Sequence, residues 1–420
     1  MSVKTDSTST RPGLSSLGKY SSATNMHSNS SPGLLTHHLH SGMVSAGPPA
    51  EQLDVNRNPL DASESNVPSC YTVIDLNDLK GDELRQAVFQ LIETLFPGMA
   101  SPDQGTITLE RMCGAMTNSS VFLVTVNDNQ RMLMRIYGNG CDQIIDRNKE
   151  LHWISRLSQL DLGPRLLAIF GNGRFEEYLP STTLSRTDIR NPTLSRQVAS
   201  RLCHLHTIVQ VYPPSPEEAQ QLEVWKNVDK WYRLVLSLLP ELTSKEAQAT
   251  KLQEFDIVRL RKEIELCKII LGRLRSPIVF AHNDTQYGNI LKLEGSGDLV
   301  VIDFEYAGYN ARGYDIANHF CEWMYDYHCE KPALLQLDQF PTIDEQLTFL
   351  KAYVDANEND HTDMEVLHTE VSMWVMASHL SWGLWGLIQA CHSDIEFDYF
   401  LYSMQRLGAF RSELTKWTSA

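Results

Sequence analysis

The sequence predicts an α+β fold in two lobes, a β-rich amino-terminal lobe followed by a mainly helical carboxy-terminal lobe. Three observations carry this reading. Short apolar segments broken by Gly and Asn turns cluster between residues 104 and 180. Beyond Pro180 the apolar spacing is helical almost to the end. A single hairpin, "AHNDTQYGNILKLEGSGDLVVIDFEY" at 281–306, interrupts the helices and carries acids beside an aliphatic run.

Residues 1–68 are rich in Ser, Pro, Asn and His, and Tyr20 is their one aromatic. Such a segment buries too little apolar surface to offset its ordering entropy, so a disordered tail is expected. No apolar stretch of the secretory kind follows Met1. Lys4, Arg11 and Lys19 against Asp6 share a bias with organellar transit peptides, but so few basic residues fit a regulatory tail better.

The amino-terminal lobe is read over 69–180. "GTITLERM" leads into the loop "CGAMTNS", then "SVFLVTV", a turn at "NDN", and "RMLMRIY". "IIDRNKELHWISRLSQL" is helical, with Leu151, Ile154 and Leu157 on one face, and Gly163-Pro164 ends it. "LLAIFGNGRFEEYLP" reads as two strands about Gly171-Asn172-Gly173. The helical lobe takes 181–420. Its apolar stretch "VMASHLSWGLWGLIQA" is too short for a span of ~20 residues and holds His379, Ser381 and Gln389, so a buried helix is expected.

The chain has 420 residues, of which 42% are hydrophobic and 21% charged, an ordinary globular composition. A net charge of −16 disfavours a general nucleic-acid binder but not a protein that takes a small cation. The eight cysteines show no CxxC pair, which argues against a structural zinc and for reduced thiols in the cytoplasm.

Folding the hairpin about Ser296 sets Asn289 opposite Asp303, with Asp284 in a loop that curls over the same mouth. Two carboxylates and an amide oxygen are hard ligands that suit Mg²⁺. "HNDTQYGN" gives H-x-D with an Asn five residues after the Asp, the spacing of a kinase catalytic loop, and "IDFEY" stands where D-F-G would. The plainer reading is a solvated hairpin with Asp and Asn as turn formers. Asp303 directly follows four aliphatic residues, which is the wrong place for one. His282 is expected to pack and hold the loop rather than bind metal.

The loop containing Gly114, Thr117 and Asn118 can cover phosphates with backbone N–H groups. Taken alone, Arg135 and Glu150 read as surface charges; with the hairpin they read as a cation–carboxylate pair beside the phosphates. Glu177 and Leu179, in the segment joining the lobes, offer backbone groups to adenine.

"HNDTQYGNIL", "VIDFEYAGYNARGYDIANHFCEWMYDY" and "SHLSWGLWGLIQA...IEFDY" resemble, in order, the choline/ethanolamine kinase family, nearest its choline-kinase type in a fungal-like form with a long amino-terminal tail. The resemblance spans about 104–405 and implies a protein-kinase-like two-lobed fold. It implies transfer of the γ-phosphoryl of ATP to choline, the first step of phosphatidylcholine synthesis by the CDP-choline route. By this resemblance Asp284 is the catalytic base, Asn289 and Asp303 hold Mg²⁺, and Arg135 and Glu150 form the phosphate-side pair. The matching Asp315 supports the catalytic loop, although it also reads as a helix N-cap. Where the family often has two glycines in the phosphate loop, this chain has Gly114-Ala115.

A quaternary ammonium has no N–H and is recognised by aromatic faces. Trp382 and Trp385 sit three apart in one helix, with Tyr327, Tyr402 and Glu322 elsewhere in the lobe. Spacing alone favours core packing; the resemblance makes them a choline pocket. The alternatives are an ethanolamine or dual kinase, an aminoglycoside-type kinase, and a non-catalytic scaffold with a kinase-like fold. Family members are often homodimers; neither membrane insertion nor a nucleic-acid partner is expected.

Overall fold

An apolar stripe explains the first helix. In α1 (Gly81–Leu95), Leu84, Val88, Leu91, Ile92 and Leu95 recur at helical spacing and are buried. They pack on a five-stranded antiparallel sheet of β1 (Ile107–Arg111), β2 (Ser119–Val126), β3 (Gln130–Tyr137), β4 (Leu166–Phe170) and β5 (Gly173–Glu177), in the order β1-β2-β3-β5-β4. Along β2, Phe122, Val124 and Val126 alternate into this core, the period of two that a pleated strand imposes. α2 (Arg147–Gln159) crosses from β3 to β4. Asp146 caps it by accepting the Lys149 N–H at 3.1 Å. Leu151, Trp153, Ile154 and Leu157 of α2 turn to a second core shared with the helical region. The sequence reading held the strands and α2 but not α1.

The computed structural model describes residues 67–99, 106–112, 119–138, 144–393 and 395–419. The expected disordered tail therefore falls outside the described residues, apart from 67 and 68, and so does the loop with Gly114, Thr117 and Asn118.

The helical region begins with β6 (Ser181–Thr183), α3 (Arg186–Ile189), α4 (Pro192–His206), α5 (Pro216–Gln220), α6 (Glu223–Leu242), α7 (Glu246–Phe255) and α8 (Leu260–Gly272). Next come β7 (Ile278–Ala281), β8 (Ile290–Leu293), β9 (Leu299–Val301) and β10 (Gly308–Ala311). α9 (Arg312–Glu322), α10 (Ile343–Asp355), α11 (Met364–His392) and α12 (Tyr399–Ser419) complete it. Helix starts follow side-chain chemistry. Asn191 caps α4 ahead of Pro192, and α10 opens on a Thr342–Glu345 capping box.

β8 and β9 form the expected hairpin, but its register differs by one residue. Ile290 pairs with Val301, and the Ile302 N–H donates to the Asn289 carbonyl at 2.9 Å. Asn289 therefore faces Ile302, with Asp303 one step beyond. The cause is the turn. Four residues, 294–297, separate Leu293 from its partner Asp298, and Gly295 and Gly297 both take positive φ, +87° and +72°.

α11 is buried on every side from Trp374 to Gln389, packed among α6, α9 and α12. A helix apolar all round must be interior. No helix among the described residues is long and apolar enough to cross a membrane. Gly383 lets α12 approach closely: a Cβ there would stand 2.7 Å from Leu407 Cγ. In an open helix Gly→Ala gains up to about 1 kcal/mol. Gly383→Ala should instead lose roughly 1–3 kcal/mol through overpacking. A calorimetric scan should show a lower melting temperature; an equal or higher one would contradict this packing.

Candidate active site

The loop after β7 is anchored from below. Asp315 has no exposed surface; its Oδ2 accepts the His282 N–H at 2.8 Å and its Oδ1 the Asn283 N–H at 2.7 Å. His206 Nε2 lies 2.9 Å from the same carboxylate, and its Nδ1 lies 2.7 Å from Tyr353 Oη. Burial opposes the charge on Asp315, but the hydrogen bond and charge of His206, with His282, hold it below the usual carboxylate range. Asp315 is not an N-cap, as one sequence reading had it. α9 starts at Arg312 with Ala311 at the cap, because the chain runs straight from β10 into the helix. Asp315 thus lies in the first turn, where it reaches the loop.

The loop itself is over-determined. Asn283 sits at φ +67°, a conformation Asn tolerates better than most residues. Its side chain donates to the Tyr306 carbonyl (2.8 Å) and accepts from Asn310 (2.7 Å), while Asn318 donates to its backbone carbonyl (3.2 Å). Burial keeps His282 neutral by lowering its pKa. In that form its Nε2–H donates to the Ile302 carbonyl (2.9 Å) and its Nδ1 accepts the Asp284 N–H (3.2 Å). His282 is therefore placed as the expected packing residue of the loop.

Asn289 donates from Nδ2 to both the backbone carbonyl and Oδ2 of Asp284, each at 2.9 Å. This fixes the Asp284 carboxyl. Burial pushes that carboxyl well above the usual range, followed by the charges of Glu322, Asp303 and Glu305.

Beside it, carboxylate oxygens of Glu150, Asp303 and Glu305 lie within 4.8 Å of one another. Asp303 Oδ1 is buried without a hydrogen-bond partner. Burial, then Asp303 and Glu150, push the Glu305 carboxyl up to about 8. Converging hard oxygens with an orphaned atom among them fit Mg²⁺. The expected pair was Asn289 and Asp303. The structure brings Glu305 and Glu150 to Asp303, while Asn289 bonds to Asp284.

Arg135 and Glu150 do not pair as expected. Arg135 Nη1 reaches Asp303 Oδ2 at 3.4 Å and its Nε lies 3.8 Å from Glu176. Glu150 is held by Arg147 (2.7 Å) and Arg174 (2.8 Å). The reason is register: Arg135 on β3 and Arg174 on β5 are direct partners, so two guanidiniums compete for the same acids. Arg147 also reaches Glu305 at 3.3 Å. Arg147, Arg174, Glu176 and Glu305 were missed as site residues. Glu305, two residues after Asp303, carried the one usable signal. In the linker, the Glu177 N–H donates to the Arg165 carbonyl (2.8 Å), and the Leu179 carbonyl accepts from Ser181 (2.8 Å).

The five residues of the expected cation pocket meet in one cluster. Trp382 and Trp385 stand edge to face at 5.2 Å, and Tyr402 is 6.3 Å from Trp385. Tyr325, 5.0 Å from Tyr402 and 5.7 Å from Tyr327, closes the chain of rings. Tyr327 Oη donates to Glu322 Oε2 at 2.6 Å. The cluster is tied to the loop. Trp382 Nε1 donates to Asn318 Oδ1 (2.7 Å) and Trp385 Nε1 to Tyr306 Oη (2.9 Å). Tyr306, 5.3 Å from Trp382, and the buried Arg406 were also missed. Both belong through contacts distant in sequence.

The arrangement offers a fixed carboxylate, a cation-ready cluster of acids and an aromatic wall, the parts of a phosphoryl transfer to an amino alcohol. Comparison with known proteins agrees. The sequence model of the choline/ethanolamine kinase family matches residues 109–411. Probable choline kinase 2 of Arabidopsis thaliana is 36% identical over 300 residues, covering 70% of this chain and 81% of the relative. Probable ethanolamine kinase of the same plant is 32% identical over 333 residues, covering 78% and 84%. The structure of Plasmodium vivax ethanolamine kinase superposes with a TM-score of 0.67 at 27% identity, covering 80% of this chain and 92% of that one.

The loop anchor makes a prediction that does not involve activity. Asp315→Asn replaces one acceptor by a donor, leaving a buried N–H unpaired at a cost of roughly 1–3 kcal/mol. Hydrogen exchange at the His282 and Asn283 amides should accelerate about five- to 140-fold, in proportion to about 1.4 kcal/mol per decade. Unchanged protection would show that Asp315 does not hold the loop.

Proposed function

The chain belongs to the choline/ethanolamine kinase family, and we propose that choline is its preferred substrate, phosphorylated by ATP to phosphocholine and ADP. One observation carries the reading of a small cationic alcohol as the acceptor. The hydrogen-bonded loop that bears Asp284 is tied through Asn318 and Tyr306 to Trp382 and Trp385, so a cation on those rings is held at a fixed place relative to the carboxylate.

In this reading Asp284 orients the choline hydroxyl and accepts its proton as the oxygen attacks the γ-phosphorus. Asn289 keeps the carboxylate aimed. A cation held on the α11 rings works against burial and the neighbouring acids, which raise the Asp284 pKa, and so favours the carboxylate form. Asp303 and Glu305, with Glu150 and the Asn289 oxygen, would hold Mg²⁺, which when bound neutralises phosphate oxygens. Arg135 keeps Asp303 in place from the sheet side. Backbone groups of Glu177 and Leu179 would read the nucleotide base, and Gly114, Thr117 and Asn118 would cover the phosphates. Positioning and electrostatics supply most of the acceleration. The reaction would stand first in phosphatidylcholine synthesis by the CDP-choline route. The cysteines among the described residues are free thiols, which supports a cytoplasmic setting.

Ethanolamine is the second reading. It is supported by the likeness to both ethanolamine kinases named above and by the carboxylate of Glu322 in the ring cluster. A coupled ATP assay over choline, ethanolamine and an aminoglycoside tests the choice: choline should give the highest kcat/KM, and the aminoglycoside none. Trp382→Ala and Trp385→Ala should each raise the choline KM about tenfold, since a cation–π contact contributes roughly 0.5–2 kcal/mol and lost packing adds to it. Ethanolamine should lose less. A larger loss for ethanolamine would reverse the substrate choice.

A further inference from the structure

Arg406 takes no part in the chemistry above, yet it is fully buried beside the proposed cation pocket. Its guanidinium lies 4.8 Å from the Tyr325 ring centre and 5.3 Å from that of Tyr402. Its Nη2 donates to Glu322 Oε1 at 2.5 Å, and its Nη1 lies 3.4 Å from His379 Nδ1. Glu322 Oε2 already accepts from Tyr327. The carboxylate nearest the aromatic cluster thus has its charge offset by a permanent cation and a hydrogen bond on each oxygen.

We propose that Arg406 is a specificity-determining residue of the cation pocket: by neutralising Glu322 it leaves recognition to the aromatic faces and so favours a methylated ammonium over a primary one. The inference rests on the choline/ethanolamine reading of the site.

The physical difference lies in the two cations. A primary ammonium brings three N–H donors and a tightly held hydration shell, and entering a buried site requires acceptors with uncompensated charge. A trimethylammonium needs no acceptor; its diffuse charge and methyl groups are matched by rings such as Trp382, Trp385 and Tyr306. A bare Glu322 would attract both, but the small ammonium more, because it approaches closer and donates. Arg406 removes that advantage. Arginine suits the task because its guanidinium stays charged when buried and stacks between two rings.

A double-mutant cycle tests this, with Arg406→Met, Glu322→Gln and both together assayed on choline and ethanolamine. Arg406→Met should shift the kcat/KM ratio about tenfold toward ethanolamine, the scale of one hydrogen bond to a charged group, with the ATP KM within about twofold. The double variant, again neutral, should return the ratio to within about threefold of the parent. An unmoved ratio in folded Arg406→Met overturns the inference and leaves the proposed function standing. If Arg406→Met does not fold, the other pair decides. Glu322→Gln strands a buried cation next to the incoming one and should cost both substrates about tenfold more than the double variant. Equal losses overturn the inference. A parent protein inactive on both substrates overturns the proposed function itself.

Discussion

A buried carboxylate accepting two consecutive backbone N–H groups is the constraint on which the site depends. Without Asp315, the N–H groups of His282 and Asn283 would be interior donors with no acceptor, each costing roughly 1–3 kcal/mol. With it, Asn283 is held in a left-handed conformation and becomes a hub. Its side chain reaches Tyr306 and Asn310, and its carbonyl receives Asn318. Tyr306 and Asn318 in turn pin the two indole N–H groups of α11. The loop carboxylate and the aromatic wall are therefore one hydrogen-bonded object, and rotating either would break bonds in the other.

A second constraint is electrostatic. Arg135, Arg147 and Arg174 face Glu150, Glu176, Asp303 and Glu305 in a largely buried network. The carboxylates exceed the guanidiniums by one, and the neighbouring acids add to burial in raising the Glu305 pKa. Buried ion pairs of this kind contribute little net stability. They do fix where a divalent cation could bring the balance back. The aromatic cluster follows the opposite rule: Glu322 is paired with Arg406, so little uncompensated charge remains there.

How far the sequence reached depended on range. Periods of two and 3.6 located the strands of the sheet and α2, because burial on one face writes itself into local spacing. H-x-D with its Asn, and Asp303 after its aliphatic run, pointed to the loop where the structure bonds Asn289 to Asp284 and sets Asp303 among other acids. What failed needed partners. The hairpin register slipped by one because two left-handed glycines make a four-residue turn where Ser296 alone was taken as the pivot. The Arg135–Glu150 pair dissolved because β5 sets Arg174 beside Arg135, and that requires the sheet order. Tyr306 reaches the rings of α11 and Arg406 stands on α12, and the close packing of these two helices rests on glycines that no local pattern explains.

The central claim is that one anchored loop places the Asp284 carboxylate at the hydroxyl of a cation held on the α11 rings. Asp284→Ala separates binding from transfer. The account predicts that choline binding measured by calorimetry stays within about threefold of the parent, while single-turnover transfer from ATP falls by about 10²–10⁴, the range of a positioned general base. Near-normal transfer by the folded variant would contradict it.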